Sequence, residues 1–279
     1  MTMAIEHLTH TTVGVELVRK LSAEGLRVFT AEAAREAAPS VGLSPGYFRQ
    51  ALHYLARSGW IVRLKKGLYA LSGSVPGTTS LHEFEIAMAL VQPAAISHWS
   101  ALSHHGLTDQ VPRRVFVLTP AHSVPRRRGT KREGAEVSYS VGETIYQFVQ
   151  VKPERFFGID QVWVNESRIS ITDPERNLLD GLMAPQYCGD FAEVLHAFEL
   201  RAPKLDVQRI IDYALKLDAA TAKRLGWILE RQGIVSDRLK PLQELPIKGY
   251  RVLDPSGPHC GSYDARWMIR VNPPGTEPS

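Results

Sequence analysis

Arg49, Gln50, His53 and Arg57 fall at helical spacing on one side of the segment from Leu43 to Leu71, and Arg63, Lys65 and Lys66 follow in the same stretch. Arginine and glutamine can make paired hydrogen bonds to guanine and adenine edges, whereas closely set cations attract phosphates. No Asp or Glu occurs between Glu36 and Glu83, so no carboxylate within that stretch neutralises the charge. The chemistry on offer is contact with a DNA duplex, with Arg49 and Gln50 suited to base edges and Arg57, Arg63, Lys65 and Lys66 to the backbone. Ser44, Tyr47 and His53 complete the candidate DNA-binding set. The plainer reading of the same residues is a solvated basic face.

The elements needed to present these groups are legible. Ser44 before Pro45 reads as an N-cap with proline at the first helical position, and Phe48, Ala51, Leu52 and Leu55 recur as one apolar face. Gly59 reads as the stop, followed by strands Trp60 to Leu64 and Leu68 to Leu71 around a Lys65-Lys66-Gly67 turn. Upstream, Val13, Leu17, Val18 and Leu21 mark a helix closing at Gly25, and Thr30 caps a short helix from Ala31 to Ala38. Glu32 and Glu36 favour the early, positive end of that helix. Residues before about Thr11 read as unstructured. Helix, helix, helix, hairpin is the order of a winged helix-turn-helix.

Of the 279 residues, 44% are hydrophobic and 22% charged, with a formal net charge of +4. These values describe an ordinary chain able to bury a core, with its basic character local to the N-terminal module. No apolar run approaches a membrane span and no signal-peptide core is visible at the amino terminus, so a cytoplasmic location without membrane contact is expected. Cys188 and Cys260 are isolated, which points to neither a disulfide framework nor a cysteine zinc site. A turn-rich stretch from Ser72 to Thr79 suggests a linker. The division expected is a winged helix-turn-helix domain over 1–75, a C-terminal domain over 79–272 and a flexible tail over 273–279.

The second domain opens with a helix around His82 to Leu90. It continues through strand-like runs at Val115 to Leu118, Thr144 to Val151, Val162 to Val164 and Ile169 to Ile171. Turns rather than helices separate several of these, so the expected class is α+β, with a larger mixed α/β C-terminal domain and a mixed or antiparallel sheet. Helices at Val207 to Leu215 and Ala219 to Gln232 follow, then strands at Tyr250 to Leu253 and Trp267 to Val271.

Catalytic chemistry finds little support. Asp173 before Pro174 reads as a helix cap, and Asp180 as a solvated residue on the same face, in preference to a pair of catalytic carboxylates. His98, His104 and His105 lack neighbouring acids or thiols to complete a metal site; His104 is expected exposed, and His98 and His105 in the core against backbone groups. A nuclease would need acidic ligands and a nearby lysine, whereas Asp160 and Glu166-Ser167-Arg168 offer arginine in that place. No Walker loop, nucleophile elbow or HExxH occurs, so no catalytic residue, metal or cofactor is assigned. Arg126, Arg127, Arg128, Lys131 and Arg132 form a basic run, read either as a solvated loop or as a second phosphate or partner site. A ligand-sensing regulator remains an alternative function, and a DNA-binding nuclease a more distant one.

Ile96-Ser97-His98-Trp99-Ser100-Ala101-Leu102 with His105-Gly106-Leu107-Thr108 and Val111-Pro112, then Ile171-Thr172-Asp173-Pro174-Glu175-Arg176-Asn177-Leu178-Leu179-Asp180, occur in that order behind the candidate winged helix. Arg224-Leu225-Gly226, Leu253-Asp254-Pro255, Arg266-Trp267 and Asn272 extend the pattern. Together they resemble the AbiEi antitoxins. The resemblance implies a transcriptional repressor that binds an inverted-repeat operator in double-stranded DNA and autoregulates its operon. It also implies a second domain that counteracts a cognate nucleotidyltransferase-like toxin, a partnership that is functional and need not be a stable complex. The residues' own physical reading is packing, with Ser97 capping a helix that Gly106 ends.

Overall fold

The computed structural model describes residues 2–73, 77, 79–120, 124–125 and 137–273. It is a mixed α+β chain, with a helical N-terminal region followed by a larger sheet-containing part.

The N-terminal region contains α1 (Thr2–Ala23), β1 (Val28–Thr30), α2 (Ala31–Ala37), α3 (Phe48–Arg57), β2 (Ile61–Lys65) and β3 (Leu68–Leu71). The backbone is helical from Thr2, which corrects the expectation of an unstructured start before Thr11. Gly25, at φ +74°, ends α1 as the Leu26 amide reaches back to the Leu21 carbonyl at 3.0 Å. Thr30 caps α2 as expected, its hydroxyl accepting from the Ala33 amide at 3.1 Å. The strands form an antiparallel sheet in the order β1-β3-β2, and Gly67, at φ +76°, makes the turn. Leu17, Leu21, Phe29, Ala34, Phe48, Leu52, Leu55 and Ile61 are buried together between sheet and helices.

The larger part runs through α4 (Glu83–Leu90), β4 (Ala95–Ile96), α5 (His98–His104), β5 (Arg114–Thr119), β6 (Val137–Val141), β7 (Thr144–Gln150), β8 (Ile159–Val164) and β9 (Ser167–Thr172). These strands make a mixed six-stranded sheet in the order β6-β7-β5-β4-β9-β8, with β5–β7 and β4–β9 parallel and the other neighbours antiparallel. Four longer helices follow, α6 (Pro174–Met183), α7 (Phe191–Arg201), α8 (Val207–Leu217) and α9 (Ala219–Arg231), then α10 (Ser236–Glu244). A small sheet of β10 (Arg251–Val252), β11 (Ser262–Asp264) and β12 (Ile269–Val271) ends the described fold.

The stretch between the two parts is not an open tether where it is described. Ser72 and Thr79 form a β-bridge, and the Gly77 amide donates to the Gly59 carbonyl at 3.0 Å. Leu64 and Ala70 of the N-terminal sheet are buried in the same cluster as Phe84, Ala87 and Leu90 of α4. Arg27 Nη1 lies 3.2 Å from the carboxylate of the buried Glu85. The two parts therefore share apolar surface, and separating them would expose it.

Candidate nucleic-acid interface

Helix α3 divides cleanly by period. Phe48, Ala51, Leu52 and Leu55 are buried, while Arg49, Gln50, His53 and Arg57 are exposed. The helix begins at Phe48, not at Ser44. Ser44 instead opens a turn in which its carbonyl accepts from the Tyr47 amide at 3.1 Å, and Tyr47 takes the N-cap position without a side-chain cap. A serine–proline pair suits a turn as well as a helix start, and here the turn joins Leu43, already buried, to α3. Gly59, at φ +78°, terminates α3 as the Trp60 amide bonds the Leu55 carbonyl at 2.9 Å, so β2 starts at Ile61 and Trp60 stays 44% exposed.

The candidate residues separate into three groups. Ser44, Arg49, Gln50, His53, Arg57, Arg63 and Lys66 are exposed. None of Arg49, Arg57, Arg63 and Lys66 enters an ion pair among the described residues. Tyr47 is half-buried and packs on the N-terminal core; burial, with Tyr54 beside it, raises its hydroxyl pKa above the ordinary value. Gln50 Nε2 sits 3.5 Å from the Tyr54 hydroxyl, a contact loose enough for the amide to exchange for another partner.

Lys65 departs from the expected turn position. Pairing of β2 with β3 shifts between Arg63 and Lys65, an irregularity that sends Leu64 wholly into the core. Lys65 then reaches α4, its ammonium donating to the Leu90 carbonyl at 2.7 Å, and desolvation lowers its pKa. Its charge ties the hairpin to the larger part. Lys66 stays at the tip, and the adjacent Gly67 carbonyl accepts from the Ala31 amide at 2.8 Å, anchoring the tip to the start of α2.

One cation was missed from the sequence. Arg35 on α2 is exposed and lies over the Phe48 ring, 5.3 Å from its centroid, at the beginning of α3. Its signal was a basic residue on the helix before α3, which the intervening Glu36 masked in a reading based on acid-free runs. The basic run Arg126, Arg127, Arg128, Lys131 and Arg132 lies outside the described residues.

The motifs of the larger part resolve into packing. Asp173 caps α6, accepting from the Arg176 amide at 2.7 Å and from the Tyr213 hydroxyl at 2.9 Å; burial nevertheless raises its pKa. Asp180 is not the solvated residue expected. It is 1% exposed and held by Arg176, whose Nη2 is 2.9 Å from Asp180 Oδ1 and whose Nη1 donates to the Arg155 and Phe157 carbonyls at 2.7 and 3.1 Å. Glu175 pairs with Arg201 at 2.7 Å, and Asn177 donates to the His98 carbonyl at 3.2 Å, joining α6 to α7 and α5.

Ser97 holds the N-cap position of α5 without a side-chain cap; its hydroxyl lies 2.9 Å from His98 Nδ1 instead. His98 is buried, and His105 Nε2 bonds the Thr172 carbonyl at 2.7 Å, while His104 is exposed. Asp160 pairs in register with Ile171, whereas Glu166 lies in the β8–β9 turn, 4.0 Å from Arg27. Gly226 faces Trp267, whose indole nitrogen donates to Glu230 at 2.6 Å, and Asn272 closes the end of the small sheet on the Asp254 carbonyl at 2.9 Å.

An exposed cationic helix face thus sits beside a basic hairpin in one small N-terminal unit. Residues 16–72 match the family model for the AbiEi antitoxin transcriptional regulators. That match covers α3 and both hairpin strands, so every candidate DNA-binding residue falls within the AbiEi-like segment. The chain also has the fold of the crystal structure of the RV2827C protein from Mycobacterium tuberculosis, at 15% sequence identity and a TM-score of 0.66, covering 92% of this chain and 90% of that one. No curated protein matches the sequence. No described helix is long and apolar enough to cross a membrane.

Proposed function

We propose that residues 1–75 form a winged helix-turn-helix in which α3 enters the major groove and the β2–β3 hairpin follows the phosphate backbone. The chain is then a DNA-binding transcriptional repressor of its own operon. Residues 79–272 act as the antitoxin domain that counteracts a nucleotidyltransferase-like toxin, and residues 273–279 are a tail. The observation that carries the reading is the exposed Arg49, Gln50, Arg57, Arg63 and Lys66 set, free of ion pairs among the described residues, inside the segment that matches the AbiEi model. The role given to the larger part rests on the description of the family that residues 16–72 match, and the buried Arg176–Asp180 and Glu175–Arg201 links among its described residues are read as packing.

Two protomers on an inverted repeat follow from the limited number of base pairs one such helix reads. Footprinting of the full chain over its own promoter tests the assignment. Arg49→Ala and Gln50→Ala are expected to flatten preference among operator variants, with about 1–3 kcal/mol lost per base contact. Equal losses on operator and random DNA would reduce both residues to backbone contacts. Co-expression with the neighbouring toxin gene tests the second half: neutralising Arg126, Arg127, Arg128, Lys131 and Arg132 to serine is expected to weaken rescue if the larger part acts through charge. Unchanged rescue returns that run to a solvated loop.

A further inference from the structure

The face of the six-stranded sheet turned away from α4 carries a cavity that the DNA-binding reading does not use. Side chains alternate along β5, so Val115 and Val117 enter the core with α4 while Arg114 and Phe116 share the opposite face. Parallel pairing sets Gln147 of β7 beside Phe116. Trp99 of α5 and Tyr187, ahead of α7, wall the space above them, and Arg113 stands at its exposed margin. The cavity, open to solvent on one side, has a volume of about 540 Å³, within the range of small-molecule sites.

Its polar groups are incompletely matched. Gln147 is 1% exposed, and its Oε1 accepts from Arg114 Nη1 at 3.4 Å, which fixes the amide so that Nε2 is the group left over. Gln147 Nε2 finds no partner among the described residues, and neither does the buried Trp99 Nε1. Native interiors leave few such donors unbonded, and cavities that bind ligands characteristically combine apolar walls with a few polar groups of this kind. The tilted rings of Phe116 and Tyr187, 5.8 Å apart, offer aromatic surface, and the two arginines supply positive charge.

We propose that this cavity binds a planar aromatic anion, a heteroaromatic ring carrying a phosphate or carboxylate. The ring packs among Trp99, Phe116 and Tyr187 and accepts a hydrogen bond from Gln147, while Arg113 and Arg114 hold the anionic group. The site is independent of α3, so failure of DNA binding would leave it standing.

The test is calorimetric titration of the full chain with the four nucleoside 5′-monophosphates, the matching nucleosides, nicotinate and inorganic phosphate. At least one planar anion is expected to bind at least about tenfold more tightly than inorganic phosphate, the equivalent of about 1.4 kcal/mol. Which anion binds separates a nucleotide source from an aromatic acid. The Arg113→Gln/Arg114→Gln double variant changes only exposed side chains, and Gln147→Leu removes the unbonded donor at similar volume. Each is expected to weaken that binding at least about tenfold. An Arg49→Ala/Arg57→Ala variant is expected to bind as the wild type, which locates the ligand away from α3. Absence of binding by every planar anion at about 1 mM would overturn the proposal. So would affinity equal to inorganic phosphate, or binding unaffected by the double variant in a folded protein.

Discussion

Adjacent lysines at the hairpin are expected to behave oppositely on DNA. Lys66 is exposed, whereas Lys65 is committed to the Leu90 carbonyl at 2.7 Å. If Arg57, Arg63 and Lys66 each neutralise one phosphate while Arg49 meets a base edge, the log–log dependence of affinity on salt has a slope of about −2.7 per protomer, at about −0.9 per contact. Raising salt fourfold, from about 50 to about 200 mM, then weakens binding about 40-fold per protomer. Lys66→Ala removes one contact, giving a slope of about −1.8 and a loss of about 12-fold over the same range. Lys65→Ala should leave the slope at its wild-type value but cost about 1–2 kcal/mol of stability, because a charge-assisted bond between hairpin and α4 is lost. Fluorescence anisotropy of the full chain on its promoter, with parallel urea melts, reads both effects. A slope flattened equally by the two substitutions would refute the placement of Lys65, and one flattened by neither would refute the hairpin as a phosphate contact.

Three further expectations concern the framework. A Cβ at Gly226 would lie 2.0 Å from Trp267 Cζ3, so Gly226→Ala should destabilise by about 2–3 kcal/mol through overpacking despite alanine's better helix propensity; an unchanged melting temperature would contradict that contact. Arg176→Met should cost about 3–5 kcal/mol by stranding the Asp180 carboxylate, and adding Asp180→Leu should recover most of it; a double variant as unstable as the single one would locate the loss in the carbonyl contacts instead. His98 and His105 have pKa values lowered first by burial, so they bind protons more weakly folded than unfolded. Stability is therefore full above the unfolded histidine value of about 6.5 and falls below it by up to about 1.4 kcal/mol per pH unit for each histidine still neutral in the fold, while urea midpoints that rise between pH 7 and pH 5.5 would reverse the sign.

Local signals carried much of the architecture. The apolar period of α3, the stops at Gly25 and Gly59, the Thr30 and Asp173 caps and the alternating strands from Val115 to Ile171 are all dictated by neighbours within a turn or two. Strands separated by turns left a mixed or an antiparallel sheet open, and the parallel pairings of β5 with β7 and β4 with β9 make it mixed. Strand β6, with Val137 and Val141 buried at its ends, and helix α7, capped by Asp190, lie outside the elements expected from sequence, although apolar spacing and an N-cap are equally local.

What sequence could not decide was which charged residue remains free for a partner. Lys65 and Lys66 are the same residue type one position apart, and only the shifted pairing of β2 with β3 and the position of α4 send one inward and leave the other outside. Asp180 looked solvated because its helix spacing was known, while the Arg176 guanidinium and the elements that bury both were not. Gln147 was one amide in a strand until parallel pairing set it beside Phe116 and under Trp99, from separate elements. Helix periods and caps depend on residues three or four positions away, so sequence determines them. Burial, pairing and the reach of a long side chain depend on groups tens of residues distant, and those are decided when the sheets and helices pack.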